Sequence, residues 1–384
     1  MGSNPKLLFY VQHLLGIGHI KRAALLVQAW VAAGIRVIVV MGGEPVPQFS
    51  FAGANVVQLP PVKAADVDFS GLVDAAGQGL DEAFRQRRRR LLLSAFESER
   101  PDILVIESYP FGRRQLRWEL LPLLELASRR EPRPLIACSV RDIVQLRRAD
   151  RVAETLALID GYFDAALVHG DPRFVPFEVS FPAAAQIGER ILYTGYVTES
   201  DPFPGPDASR TDEVLVSAGG GAVGFGLMEA ALRGRAATAL AEADWRFLLG
   251  PNLPNRQRET LRHLATANVI LEPVRADFPQ LLKGCRVSIS QGGYNTLMDL
   301  LRTGAPAVVV PFEGEGETEQ LERSNRLAAL GRCVVVREAE LSPATLAAAV
   351  DRAMDLQPSD VRIDLDGARN SADLLLRRWE AHRA

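Results

Sequence analysis

The sequence predicts an α/β protein built from two Rossmann-like domains, each a parallel sheet with helices on both faces. Three observations predict it. Short apolar runs of strand character alternate with helical patterns along nearly the whole chain. The 384 residues exceed what one ordinary core organises and divide into two comparable halves. Each half opens the same way, with a strand, a glycine-rich turn and a helix: LLFYVQHLLGIGHIKRAALL in the first and VLVSAGGGAVGFGLMEAAL in the second.

In chain order, strands are expected at 6–12, 35–41, 102–107, 134–140 and 165–169 in the first half. The second half offers 213–217, 245–250, 268–273, 286–290, 305–311 and 333–337. Between the halves lies TESDPFPGPDASRTD, residues 198–212, whose three prolines and few apolar residues mark a linker. The domains are therefore expected at 1–197 and 213–367, with a closing helix over 368–384. The arginine run 85–90 lies in a helical stretch before Pro101 and reads as a solvated helix face.

Composition narrows the class. Hydrophobic content of 47% and charged content of 24% are those of a soluble globular protein, and a net charge of −3 speaks against a general nucleic-acid binder. Cys138, Cys285 and Cys333 are far apart, in or beside apolar strands, with no metal-ligand spacing; they read as small buried hydrophobes in a reducing compartment. The start enters a strand almost at once without a signal-peptide apolar region, and no apolar run reaches ~18 residues unbroken. A cytoplasmic protein is expected.

The second half carries the most specific motif. A strand over 287–290 runs into Gln291-Gly292-Gly293, and a helix is expected to begin near Asn295-Thr296 and end before Gly304. Free backbone N–H groups at Gly292 and Gly293 and the helix N-terminus suit an anion such as a diphosphate. Asp299 lies three residues beyond Thr296, on the same helix face, where its carboxylate can accept hydrogen bonds from a ribose diol. The following strand delivers Glu319 and Gln320 to the same edge.

This stretch resembles the C-terminal half of the family 28 glycosyltransferases, over roughly forty residues with glycines, acid, Pro311 and the Glu-Gln pair in order. The resemblance implies the GT-B architecture, two Rossmann-like domains facing a central ligand cleft, with the last helix packed back on the N-terminal domain. It also implies that the turn and helix hold a nucleotide sugar, that Asp299 binds ribose, and that Tyr294, Asn295, Glu319, Gln320 and Arg323 surround the donor sugar. Asp299 stands where Glu is usual and Arg323 where Asn is usual, so the sugar itself is not fixed. Backbone near Val274 would read the base, and UDP is inferred from the resemblance alone.

Two more glycine turns carry chemistry. Gly16-Ile17-Gly18-His19 opens the first helix but is not a dinucleotide fingerprint, because Lys21 stands where the third glycine belongs. It resembles the N-terminal GxGH segment of family 28, in which Gly18 faces diphosphate and the histidine lies in the cleft. His19 has the chemical range of a general base. Glu107 and Asp142 are expected at carboxyl ends of parallel strands, where each is a base candidate and equally a helix cap or ion-pair partner, with Arg141 as a pairing cation. Gly219-Gly220-Gly221 is the better phosphate loop, with three consecutive glycines at a strand end.

The sequence shows no metal-ligand cluster and no Asp-x-Asp of the kind that metal-dependent sugar transferases use to hold diphosphate, so helix N-termini and glycine amides are expected to meet the leaving-group charge without a metal or other cofactor. The expected function is sugar transfer from a nucleoside diphosphate, UDP-linked as in a UDP-N-acetylhexosamine, to an acceptor hydroxyl, with inversion. The acceptor is lipid-linked or small; a lipid-linked one would bring peripheral contact with the inner face of the membrane. A nucleotide-sugar hydrolase, a UDP-sugar 2-epimerase of the same shape and a non-catalytic nucleotide-sugar-binding subunit are the alternatives.

Overall fold

Strict alternation along β1 (Lys6–Val11) organises the first half of the chain. Leu7, Phe9 and Val11 enter one apolar cluster, whereas Leu8 and Tyr10 enter another, so the strand is buried on both faces as a central parallel strand must be. The computed structural model describes residues 4–14, 18–66, 71–144, 149–199, 211–219, 224–314 and 318–384. Its contacts divide into two units, Met1–Ser200 with Asp364–Ala384, and Asp201–Ile363.

After β1 the first unit runs through α1 (Gly18–Ala32), β2 (Arg36–Met41), β3 (Asn55–Gln58), β4 (Val62–Ala64), β5 (Leu72–Asp74), α2 (Glu82–Glu99) and β6 (Ile103–Glu107). It continues with α3 (Arg117–Arg129), β7 (Leu135–Arg141), α4 (Ala149–Tyr162), β8 (Ala165–His169), α5 (Ala184–Ile187) and β9 (Ile191–Tyr193). The main sheet is parallel, in the order β3-β2-β1-β6-β7-β8-β9, and β4 and β5 form a separate antiparallel pair. The second unit comprises β10 (Val214–Ser217), α6 (Phe225–Gly234), β11 (Trp245–Leu249), α7 (Asn255–Leu264), β12 (Val269–Pro273) and α8 (Phe278–Gly284). It then adds β13 (Val287–Gln291), α9 (Tyr294–Thr303), β14 (Ala307–Val310), α10 (Glu319–Ala329), β15 (Cys333–Val335) and α11 (Pro343–Met354). Its parallel sheet has the order β12-β11-β10-β13-β14-β15.

The last helix, α12 (Gly367–Arg383), belongs to the first unit. Ala372, Leu375 and Trp379 join the apolar cluster of α1, and the indole N–H of Trp30 donates to Ser371 Oγ at 3.0 Å. Local signals fix several helix ends. Asp81 accepts the Phe84 N–H at 2.7 Å at the start of α2, Ser342 and Thr345 form a reciprocal cap on α11, and Gly304, at φ 63°, ends α9.

The expected strands are all present, with ends moved by two residues at most; four short ones, β3, β4, β5 and β9, were not expected. These have three or four residues each, too few to show a period. The linker expected over 198–212 falls mostly outside the described residues. The arginine run corrects the reading of a solvated face. Phe84, Arg88, Leu92 and Phe96 recur every four residues, so helical geometry turns one arginine of the run toward the core while Arg87 and Arg90 stay exposed. Arg88 is fully buried, with its Nε 2.8 Å from Glu119, itself fully buried. All three cysteines are buried thiols. Among the described residues no helix is long and apolar enough to cross a membrane.

Candidate functional site

Strand order creates a crevice in each sheet. In the first unit β1 leads through α1 to β2 on one side, and β6 leads through α3 to β7 on the other. The chain therefore diverges above the carboxyl ends of β1 and β6, which is where open α/β sheets bind ligands. In the second unit the same divergence falls between β10 and β13.

At the first switch point the structure brings together His19, near the start of α1, and Glu107, the last residue of β6. His19 Nδ1 lies 2.6 Å from Glu107 Oε1. That oxygen also accepts from Arg22 Nη2 at 2.8 Å and from Ser108 Oγ at 2.7 Å, while Arg113 Nη2 stands 3.7 Å from Oε2. Burial alone would push the Glu107 carboxyl up, but His19, Arg113 and Arg22 pull it well below the usual carboxylate range. It is an anion at neutral pH. Burial lowers the His19 imidazole to about 4, and the neighbouring Arg113 and Arg22 act in the same sense against the opposing pull of Glu107.

These facts fix the tautomer. Arg22 Nη2 also approaches His19 Nδ1, at 3.2 Å, but Nδ1 cannot accept from an arginine and donate to a carboxylate together. The shorter contact to an anion wins, so Nδ1–H donates to Glu107 and the lone pair sits on Nε2. The His19 side chain keeps 23% of its surface exposed, whereas Glu107 keeps 1%. The imidazole is thus the solvent-facing member of the pair and Glu107 its anchor.

Asp142, the third expected member, is fully buried beyond β7. Its Oδ2 accepts the Tyr196 hydroxyl at 2.7 Å and its Oδ1 the Ile143 N–H at 2.9 Å. The cations on Glu107 are Arg22 and Arg113, two residues the sequence reading missed. Arg22 was legible, because it lies one helical turn after His19. Arg113 had no local signal, since a loop delivers it.

In the second unit Gly292 is buried between α10 and the end of β14: a Cβ there would meet Ser324 Oγ at 2.9 Å and Pro311 Cα at 3.2 Å. Gly293 precedes the first turn of α9. Gly219 is left-handed at φ 65°. Gly220 and Gly221, like Gly16 and Ile17 of the first turn, lie outside the described residues; at Gly18 a Cβ would meet nothing within 4 Å. Val274 is exposed just after β12. Asp299 keeps 19% side-chain exposure and lies 3.1 Å from Arg302.

Tyr294, Glu319 and Arg323 meet. The Arg323 guanidinium lies 4.9 Å from the Tyr294 ring centre and donates to Glu319 Oε1 at 2.7 Å, with Arg323 fully buried. Gln320 Oε1 accepts the Phe312 N–H at 3.1 Å beside Gly292, and Asn295 is exposed. Glu319 and Arg323 are thus not surface charges on a solvated helix. On β13 the buried hydroxyls of Ser288 and Ser290 have no hydrogen-bond partner among the described residues. The alternation VSIS, apolar on one face and hydroxyl on the other, was their signal.

Residues 215–362 match the family model described as the glycosyltransferase family 28 C-terminal domain. The second unit thus matches a glycosyltransferase family 28 C-terminal domain. A UDP-N-acetylglucosamine–N-acetylmuramyl-(pentapeptide) pyrophosphoryl-undecaprenol N-acetylglucosamine transferase of Thermotoga neapolitana is 36% identical over 87 residues, 23% of this chain and 26% of the relative. The protein of the same name from Prochlorococcus marinus is 30% identical over 176 residues, 44% of this chain and 46% of the relative. The chain thus matches less than half the length of these relatives.

Fold similarity extends across both units. The calicheamicin glycosyltransferase CalG4 superposes with a TM-score of 0.62 at 18% identity, covering 99% of this chain and 95% of that one. Acinetobacter baumannii MurG gives 0.61 at 13%, over 97% and 100%. A putative UDP-N-acetylglucosamine 2-epimerase from Listeria monocytogenes gives 0.62 at 12%, over 100% and 98%. The architecture is GT-B, with the family 28 domain as its second unit.

Proposed function

We propose that this chain is a glycosyltransferase that moves a sugar from a nucleoside diphosphate donor, UDP-linked, to an acceptor hydroxyl with inversion at the anomeric carbon. The observation that carries the reading is the His19–Glu107 pair: a neutral imidazole anchored through Nδ1 at the first unit's switch point, with Nε2 available to take a hydroxyl proton. The second unit binds the donor. Gly219, Gly220, Gly221, Gly292 and Gly293 would offer N–H groups to the diphosphate, with the N-terminus of α9 adding its partial positive charge. Asp299 would take the ribose diol and backbone at Val274 the base. Tyr294, Asn295, Glu319, Gln320 and Arg323 would surround the sugar, Arg323 by holding Glu319 in place. Helix termini and glycine amides would meet the charge of the departing diphosphate, which makes the proposed mechanism metal-independent.

Incubating the protein with a panel of UDP- and dTDP-sugars, with and without hydroxyl acceptors and in excess EDTA, tests this reading. Sugar transfer that persists in EDTA supports it. Rapid release of free sugar without acceptor would mean a hydrolase, an epimerised sugar an epimerase, and binding without any turnover a nucleotide-sugar-binding subunit. Complete loss in EDTA restored by magnesium would refute the metal-free step.

Asp299→Ala should weaken UDP and UDP-sugar to the same extent, because a ribose contact acts on ground and transition states together. The loss of a hydrogen bond to a charged group is worth ~1.5–3 kcal/mol. Calorimetry giving an unchanged UDP dissociation constant would leave Asp299 as no more than the partner of Arg302.

A further inference from the structure

The loop that follows Glu107 is held in an unfavourable backbone conformation at both ends. Ser108, at φ 63°, and Arg113, at φ 59°, are left-handed without being glycine. Both side chains address Glu107: Ser108 Oγ donates to Oε1 at 2.7 Å, and Arg113 Nη2 stands 3.7 Å from Oε2. The loop is tied down by backbone bonds from Ser108 N to Ser139 O at 2.8 Å and from Gly112 N to Ser108 O at 2.7 Å. A conformation that costs free energy at two such positions persists only where its surroundings enforce it.

Arg113 is itself anchored from a second direction. Its Nε donates to Gln12 O at 2.9 Å, just beyond the end of β1. Gln12 cannot shift, because its side chain donates to Val62 O at 2.8 Å and accepts from buried Arg88 at 2.8 Å. A run of contacts therefore extends from Arg88 through Gln12 and Arg113 to Glu107 and His19. Glu107 Oε2 and Arg113 Nη2 are buried, and neither makes a hydrogen bond among the described residues. Burial reduces the screening between them, so their attraction is stronger than it would be at the surface.

We infer that Arg113 is a positioning residue for His19: from the left-handed end of the 108–113 loop it holds the Glu107 carboxylate against His19 Nδ1, and so determines that Nε2 is the nitrogen offered to a reactant. The inference rests on the reading of His19 as the base. Arg22 reaches the same carboxylate from α1, but on the Oε1 side, so the two arginines brace opposite oxygens. The other titratable and charged groups around the cluster are His13 beyond β1, Glu44 beyond β2, Asp142 beyond β7 and His169 at the end of β8. His169 is held neutral by burial, between Ser139 Oγ at 2.7 Å and Thr194 Oγ1 at 3.0 Å, and Asp142 is bound to Tyr196. Arg113 and Arg22 are the cations that act on His19.

Nitrogen-15 NMR of histidine-labelled full-length protein tests this without requiring turnover, since the chain has only five histidines to assign. In the wild type His19 should carry its proton on Nδ1 and titrate near pH 4. Arg113→Gln should raise that titration by about one unit, because a cation that disfavours imidazolium is gone. Arg113→Lys should bring it back. With a sugar acceptor in hand, the acid limb of kcat/KM should move up in step while the donor KM stays unchanged. A purely structural arginine would lower the melting temperature and leave titration and limb in place, which would overturn the inference. So would a wild-type His19 protonated on Nε2, a measurement that needs no variant to fold. A shifted titration in a protein that transfers no sugar would uphold this inference and sink the transferase reading; sugar transfer with an unmoved titration would do the reverse.

Discussion

Replacing His19 with alanine should lower kcat for sugar transfer by ~100-fold or more while leaving UDP affinity nearly unchanged. The expectation follows from the direction in which the imidazole faces. Nδ1 is committed to Glu107 and Nε2 is not, and the ring is the more exposed member of the pair. Proton removal from an acceptor is needed only on the way to the transition state, so the loss should fall on turnover. Isotopic initial rates and calorimetric UDP binding on the same preparations would measure both. Equal losses in the two would make His19 a diphosphate contact. Glu107→Gln and Asp142→Asn belong in the same series, because a larger loss from either would move the base away from His19.

The pH dependence has a definite sign. Burial lowers His19 from 6.5 to about 4, so the base should remain competent down to that region and the acid limb should lie near pH 4. The same shift is linked to stability. Between the two values the unfolded chain binds a proton that the folded chain refuses; the contribution is complete above 6.5 and is lost as the pH falls toward 4.

Arg88→Met should destabilise the first unit by about 3–5 kcal/mol, the range for removing one partner of a buried ion pair. The guanidinium binds Glu119 through Nε at 2.8 Å and Nη2 at 3.0 Å, and donates to Gly42 O at 2.7 Å, to Gln12 Oε1 and to Pro60 O. Without it the Glu119 carboxylate keeps the Tyr10 hydroxyl at 2.6 Å, while the carbonyls lose a donor. Methionine fills the volume but supplies no proton. Denaturant unfolding of the full chain, fitted as two transitions, would read the change in the first unit. Arg87→Met, at an exposed position of the same run, is the control and should change little. A loss below 1 kcal/mol for Arg88→Met would mean that the buried pair adds little net stability.

The sequence by itself determined the class of fold. Each central strand is a run buried on both faces, and the glycine turns punctuate those runs at regular places, so period and composition suffice to lay out two parallel sheets. It also determined the helix limits that rest on local chemistry, such as Gly304 in its left-handed cap, and the glycines and acids expected at strand ends, because position relative to a strand is a local property. The tertiary structure alone decided what those side chains do there. Glu107 and Asp142 looked equivalent in sequence; one became the anchor of His19 and the other the partner of Tyr196, according to which strands lie next to each other. Arg88 was one letter in a run of like charges until helical rotation turned it inward against Glu119, 31 residues away. Arg113 gave no local sign at all. Its distance from Glu107 is set by a loop bent at two left-handed residues and by a carbonyl 101 positions earlier in the chain. Charges separated in sequence interact through space, and burial amplifies them. Periodicity therefore reveals the scaffold, whereas the electrostatics of the site emerge only when the chain has closed on itself.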